Sequence, residues 1–224
     1  VSTWKIVEST ELYAGLGVQL LDDHTDRPIE AVVDIAVDIE VGASWRELEL
    51  EPQVLPAAVF YFPNLERYRD AVGRPPGRYR VRVRSGRYVP LYQLLGGAGV
   101  VVQVEPWDDS NPPVTTLSRP EPLRMLPRPA APFGTTPTLR GRVQTPGPDP
   151  IGIAGAIVSY NQPQPVGPPR SIQVLSEADG DYALPIRRIA TPALTVSVAS
   201  GGPPQPFPFP DWRTAVRTTQ NLTL

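Results

Sequence analysis

The 224-residue chain has no cysteine, one histidine and one methionine. Without cysteine there are no disulfides, no thiolate metal ligands and no cysteine nucleophile. With His24 alone there is no histidine pair to grip a metal. No apolar run is long enough to span a bilayer, and no basic-then-apolar leader occurs. Gly-rich phosphate loops, a Gly-x-Ser-x-Gly elbow and a His-Glu-x-x-His helix are all missing, which lowers the case for an enzyme. Charge of one sign is lacking too: the formal net charge is −2, so nothing global points to nucleic acid or an anionic membrane. Lack of cysteine and of a leader sets the expected location as cytoplasmic, in an assembled particle that can be released from the cell.

What the chain does have is proline and glycine, 30 and 18 residues, near twice the usual share. Proline at that density breaks long helices. Hydrophobic residues still make up 41%, enough for real cores. The apolar pieces are short and read with period two, as half-buried strands do. Gly15–Leu21, Ala31–Val41, Trp45–Glu51, Ala57–Phe62, Arg78–Arg84 and Val100–Glu105 are the strands expected in the first half. In Ala31–Val41, Val33, Ile35, Val37, Ile39 and Val41 take one face, while Asp34, Asp38 and Glu40 take the other. Asn64–Val72 is the expected helical turn, with Asn64 as cap, Leu65, Tyr68 and Val72 on one face and Gly73 as stop.

From Trp107 to Pro137 the prolines crowd. They force extended geometry and make a semi-rigid spacer or a strap over a surface, anchored by Leu117, Leu123, Met125, Leu126 and Phe133. The expected division is a sandwich over 1–107, a strap over 108–137 and a second sandwich over 138–224. Short echoes link the halves: Pro28-Ile29 with Pro150-Ile151, and the Val81–Gly86 stretch with Val196–Gly201. They point to two related antiparallel sandwiches in tandem, the first a divergent copy with one short helix.

In the last third, Gly141-Arg142-Val143, the Pro150-Ile151 turn, Ala154–Val158, Asp179-Gly180-Asp181-Tyr182-Ala183-Leu184 and Leu194–Val198 together resemble the carboxypeptidase regulatory-like domain. The resemblance implies a transthyretin-like sandwich of seven strands. It implies no catalytic residues, since domains of that family are accessory modules of surface proteins, peptidases and phage-tail-like particles.

The sharpest charged feature is the row Arg78, Arg80, Arg82 and Arg84. Alternating residues line one face of a strand, at the reach of a phosphate backbone or of an acidic neighbour. Asp34, Asp38, Glu40, Glu47, Glu49 and Glu51 supply acids in the same half, and ion pairing within the domain or between subunits is the expectation. Asp22, Asp23, His24 and Asp26 could collect a cation, although Asp-rich loops are usually solvated turns. Trp45 beside the glutamate face is the one candidate for a carbohydrate platform. Phe207 and Phe209 sit in a proline-rich run, either as a ligand for an aromatic groove or tucked into a sandwich.

The sequence therefore points to an all-β, non-catalytic structural or adaptor subunit with no cofactor and no metal. The expected partners are protein subunits, other chains or further copies of itself, with neither nucleic acid nor membrane insertion. A cap, end or baseplate-proximal adaptor of a contractile injection particle is the setting expected by analogy; a carbohydrate- or cell-surface-binding module is the alternative. The expected protein-contact residues are Arg78, Arg80, Arg82, Arg84, Leu123, Met125, Phe133, Phe207, Phe209 and Trp212.

Overall fold

A computed structural model describes residues 15–111, 119–131, 133, 136–162, 166–186, 193–197, 203–208 and 217–224. The protein is all-β. Its first half holds β1 (Leu16–Asp22), β2 (Val33–Val41), β3 (Ser44–Leu48), β4 (Gln53–Leu55), β5 (Val59–Phe62), β6 (Arg67–Tyr68), β7 (Gly77–Ser85), β8 (Tyr88–Pro90), the single turn of helix α1 (Leu91–Leu94), β9 (Val100–Val104), β10 (Trp107–Asp108) and β11 (Glu121–Pro127). Then come β12 (Thr138–Gln144), β13 (Ile157–Gln162), β14 (Arg170–Leu175), β15 (Asp181–Pro185), β16 (Ala193–Ser197), β17 (Gln205–Pro208), β18 (Arg217–Thr219) and β19 (Leu222–Thr223).

Two sheets enclose the first core, in the orders β4-β5-β1-β11-β8 and β3-β2-β7-β9. Leu16, Val18, Leu20, Val37, Phe62, Tyr79, Val81 and Val83 meet between them. Two more sheets, β15-β12-β18 and β14-β13-β16-β17, enclose a second core around Leu139, Val158, Tyr160, Val174, Tyr182, Leu184, Leu194 and Leu222. Period-two alternation explains both: each strand turns one face inward, and burying those side chains drives the two sheets together.

The halves repeat one succession of strands. β2 lies between β3 and β7, with β9 outside β7; β13 lies between β14 and β16, with β17 outside β16. All six of these pairings are antiparallel. In the opposite sheets, β1 and β12 each pair antiparallel with one neighbour, β5 or β15. Each pairs parallel with the other, β11 or β18.

Two expectations are corrected. Asn64–Val72 is not a helix: Asn64 and Glu66 take positive φ of 62° and 55°, which no helical run accommodates. Arg67–Tyr68 instead pairs parallel with Trp107–Asp108, and Val72, expected on the inner face, is 86% exposed. The helix lies at Leu91–Leu94, started by Pro90. The proline strap is not a mere spacer: its Glu121–Pro127 segment is a strand of the first sandwich, so that core reaches beyond residue 107. Its prolines are placed where a strand tolerates them. Pro122 has a neighbour only on the β1 side and Pro127 only on the β8 side. Arg170–Leu175 adds a further strand, β14.

The Asp179-Gly180 turn forms as its residues dictate, with Gly180 at φ 87°. There a Cβ would collide with the Val143 carbonyl.

Candidate functional site

Two side-chain clusters concentrate the polar chemistry. The first is the outer face of β3-β2-β7. Register places Asp38 beside Arg80, Asp34 beside Arg84 and Glu47 beside Asp38. The Asp38 carboxylate accepts from Arg80 Nε at 2.6 Å, and from Arg82 Nε and NH2 at 2.9 and 2.8 Å. Arg82 also donates to Glu47 at 2.5 Å, and Arg78 donates to Glu40 at 2.6 and 2.8 Å. Asp38 is only 2% exposed, although its strand position faces outward. The arginine stems cover it. Burial raises its pKa, but the guanidinium groups of Arg82 and Arg80 outweigh that and hold the carboxyl below its ordinary range. Arg82 is pushed up in turn, chiefly by its hydrogen bond to Asp38 and then by that to Glu47.

The row is thus an ion-pair ladder in which Arg78, Arg80 and Arg82 are engaged within their own sheet. Arg84 is exposed, on the rim of a depression also lined by Asp34, Glu47, Glu49, Glu51 and Arg82. The Arg80 guanidinium lies 4.9 Å from the centre of the Trp45 ring, covering one face of the expected sugar platform.

The second cluster joins the halves. The loop after β1 is folded by Asp22, whose Oδ1 accepts from the backbone N–H groups of His24 and Thr25 at 2.8 Å each. This Asx turn presents Asp23 and Asp26 to arginines from two other strands. Arg170, at the start of β14, donates to Asp23 Oδ1 at 2.9 Å and to Asp26 Oδ2 at 2.8 Å, and also to the Asp23 carbonyl. Arg124 of β11 donates to Asp26. A second bridge runs from Arg128 to Glu177 at 3.0 Å. Burial raises the Asp26 pKa, yet Arg124 and Arg170 bring it below the usual carboxylate range. The loop read as a possible cation site therefore holds guanidinium groups. Among the described residues, no group of three His, Cys, Asp or Glu is placed to hold a metal ion.

The remaining expected contact residues separate. Leu123 and Met125 are 3% and 0% exposed, packed in the first core, so the expectation that they meet a partner is corrected. Their period-two spacing inserts them between sheets as strand residues. Phe133 is half-buried against the same core, under the Arg140 guanidinium. Phe207 is half-buried against the second core, opposite Leu194. Phe209 and Trp212 lie outside the described residues, as does Leu117.

Reading the residues alone missed Arg170 and Arg124. Their only signal was a surplus of arginine on strands facing an Asp-rich loop, and register across the halves is not written in either segment. It also missed Glu66, whose two oxygens accept from Tyr79 at 2.5 Å and Tyr68 at 2.7 Å, pinning the 64–68 turn to β7.

Compared with known proteins, the chain matches no family model and no curated relative. Among solved structures, the C-terminal fragment of the pilus adhesin SpaC from Lactobacillus rhamnosus GG is similar at 12% identity over 93% of this chain and 96% of that one. Its TM-score is 0.20, too low to support an argument. Among the described residues, no helix is long and apolar enough to cross a membrane.

Proposed function

We propose that this chain is a non-catalytic structural or adaptor subunit of a protein assembly. It is built from two copies of one seven-stranded sandwich of the transthyretin-like, carboxypeptidase regulatory-like kind. The repeated strand succession supports the duplication: β1, β2, β3, β5, β7, β9 and β11 stand to one another as β12 to β18 do. One observation supports the structural role above others: the Asp22–Asp26 loop of one half is bound to Arg170 of the other, and Arg128 to Glu177. Acids and arginines that would be free to act on a ligand are spent on fixing one half against the other. A subunit that sets the spacing and angle of its neighbours needs that stiffness.

The specific setting proposed is a cap, end or baseplate-proximal position in a phage-tail-like contractile particle. It rests on the family resemblance of the last third and on the lack of cysteine. The test is to express a tagged chain in its native host and fractionate particles by density. Co-sedimentation with high-mass particles, and label density at a particle end in electron micrographs, are expected. A chain that remains wholly in the low-mass fractions overturns the reading.

A further inference from the structure

Every open sheet invites another strand, and the edges of this protein are not protected alike. β17 carries Pro206 and Pro208, and β8 ends in Pro90. β3 carries Arg46 and Glu47, β15 carries Asp181 and Pro185, and β14 begins with Arg170. β4 has three residues between Pro52 and Pro56. Proline and charge are the devices that keep edges from pairing. β9 has neither within its span, although Glu105 and Pro106 follow it: it reads Val100-Val101-Val102-Gln103-Val104, with β7 on one side and no described strand on the other. Among the described edge strands of five or more residues, β9 alone lacks both. Its counterpart by strand succession is β17, which is blocked. One copy of the sandwich has a proline-blocked edge strand at the position where the other has an edge strand without proline or charge and, among the described residues, without a neighbour.

We propose that β9 is a self-pairing edge, joining two copies of this chain by an antiparallel β9–β9 contact centred on Val102. The choice of a second copy follows from the strand's own pattern. Val100, Val102 and Val104 share the inward face with Tyr79 and Val81, while Val101 and Gln103 share the outward face with Arg80 and Arg78. Turned about a two-fold axis at Val102, the half-buried Val102 meets Val102 of the partner subunit, and the half-buried Val100 lies opposite the partner's Val104, whose own side chain is already sealed in its core. Val101 meets the partner's Gln103, so no charge opposes a like charge. The same operation on β3 would set Arg46 against Arg46 of the partner subunit. A two-fold contact also closes on itself, so the product is a dimer and not a fibre.

A five-residue strand pair buries less than the roughly 1,600 Å² typical of tight complexes, so the free dimer is weak and concentration-dependent. The proposal deepens the assembly reading and rests on it in one respect: it names the surface through which copies meet.

Sedimentation velocity over a wide concentration range tests it. The wild type shifts from monomer to dimer as concentration rises. V101K/Q103K sets lysine against lysine across the two-fold and weakens dimerisation about tenfold or more. V101K/Q103E sets lysine against glutamate and restores it. Val101 is 46% exposed and Gln103 is exposed, opposite Arg80 and Arg78 of β7, and circular dichroism and thermal melting verify that both variants keep the monomer fold. If V101K/Q103K dimerises like the wild type, the β9 contact is wrong while assembly through another surface stands. If the wild type is a monomer throughout, the β9 contact is overturned, and assembly with other proteins is judged by particle co-sedimentation alone.

Discussion

At the scale of the residue, Asp38 is the hub. Replacing it by Asn keeps its shape but removes the charge that Arg80 and Arg82 share. D38N is expected to cost ~2–3 kcal/mol in urea unfolding, since two half-buried guanidinium groups lose their counter-charge. The pH dependence has a definite sign. Asp38 and Asp26 have folded pKa values below the unfolded value of about 3.9. Their contribution is complete above the unfolded value and is lost as pH falls through the folded one. The melting temperature should hold from pH 7 to about 5 and drop below about 4, less steeply in D38N. A second residue-level prediction concerns Tyr79: Y79F should cost about 1–2 kcal/mol through the lost bond to Glu66. The complementary acids and arginines were legible in the sequence as alternating rows. Which acid serves as hub was not, because that depends on register: a one-residue slip of β2 would turn Asp38 into the core.

At the scale of the element, β11 carries the lesson. Its prolines read as a spacer or an anchored strap, and they masked the Leu123-x-Met125 alternation that marks a strand. Proline excludes only the ladder positions where its missing N–H matters, and here each proline has a single strand neighbour. Met125→Ala should therefore destabilise the first sandwich by about 2–5 kcal/mol, a core-cavity effect that a tether would not show. Amide exchange offers an independent check: Leu123 and Met125 should be protected to the same degree as Val18 and Leu20. Most strands of the first half were legible to within two or three residues, because valine and isoleucine alternate cleanly there. The helix was misplaced because Leu65, Tyr68 and Val72 mimic helical spacing, whereas the true helix is four residues long and too short to show a period.

At the scale of the whole molecule, two arginines bridge the two sandwiches. R128A/R170A should leave each half folded but free the angle between them. Small-angle scattering is expected to show a wider distribution of dimensions for the variant, while strand content by circular dichroism is unchanged. High salt should push the wild type in the same direction, since both bridges are partly exposed. Identical profiles for variant and wild type would show that the bridges do not set the angle. The sandwich class was legible from period-two strands. The link between halves was not, because its partners stand far apart in sequence and neither loop announces the other.

The parallel pairing of Val18 with Glu121 carries a demand on biosynthesis. β1 meets β5 early, but about a hundred residues must leave the ribosome before it finds its parallel partner β11, and β12 waits similarly for β18. Until then Leu16, Val18 and Leu20 have an unfinished wall beside them. Genetic truncation just after residue 107 should yield insoluble material, whereas a stop after 137 should yield a soluble, cooperatively melting product. The nascent chain is thus exposed to chaperones and proteases for most of its first half, and a pause there would be more harmful than one near the end.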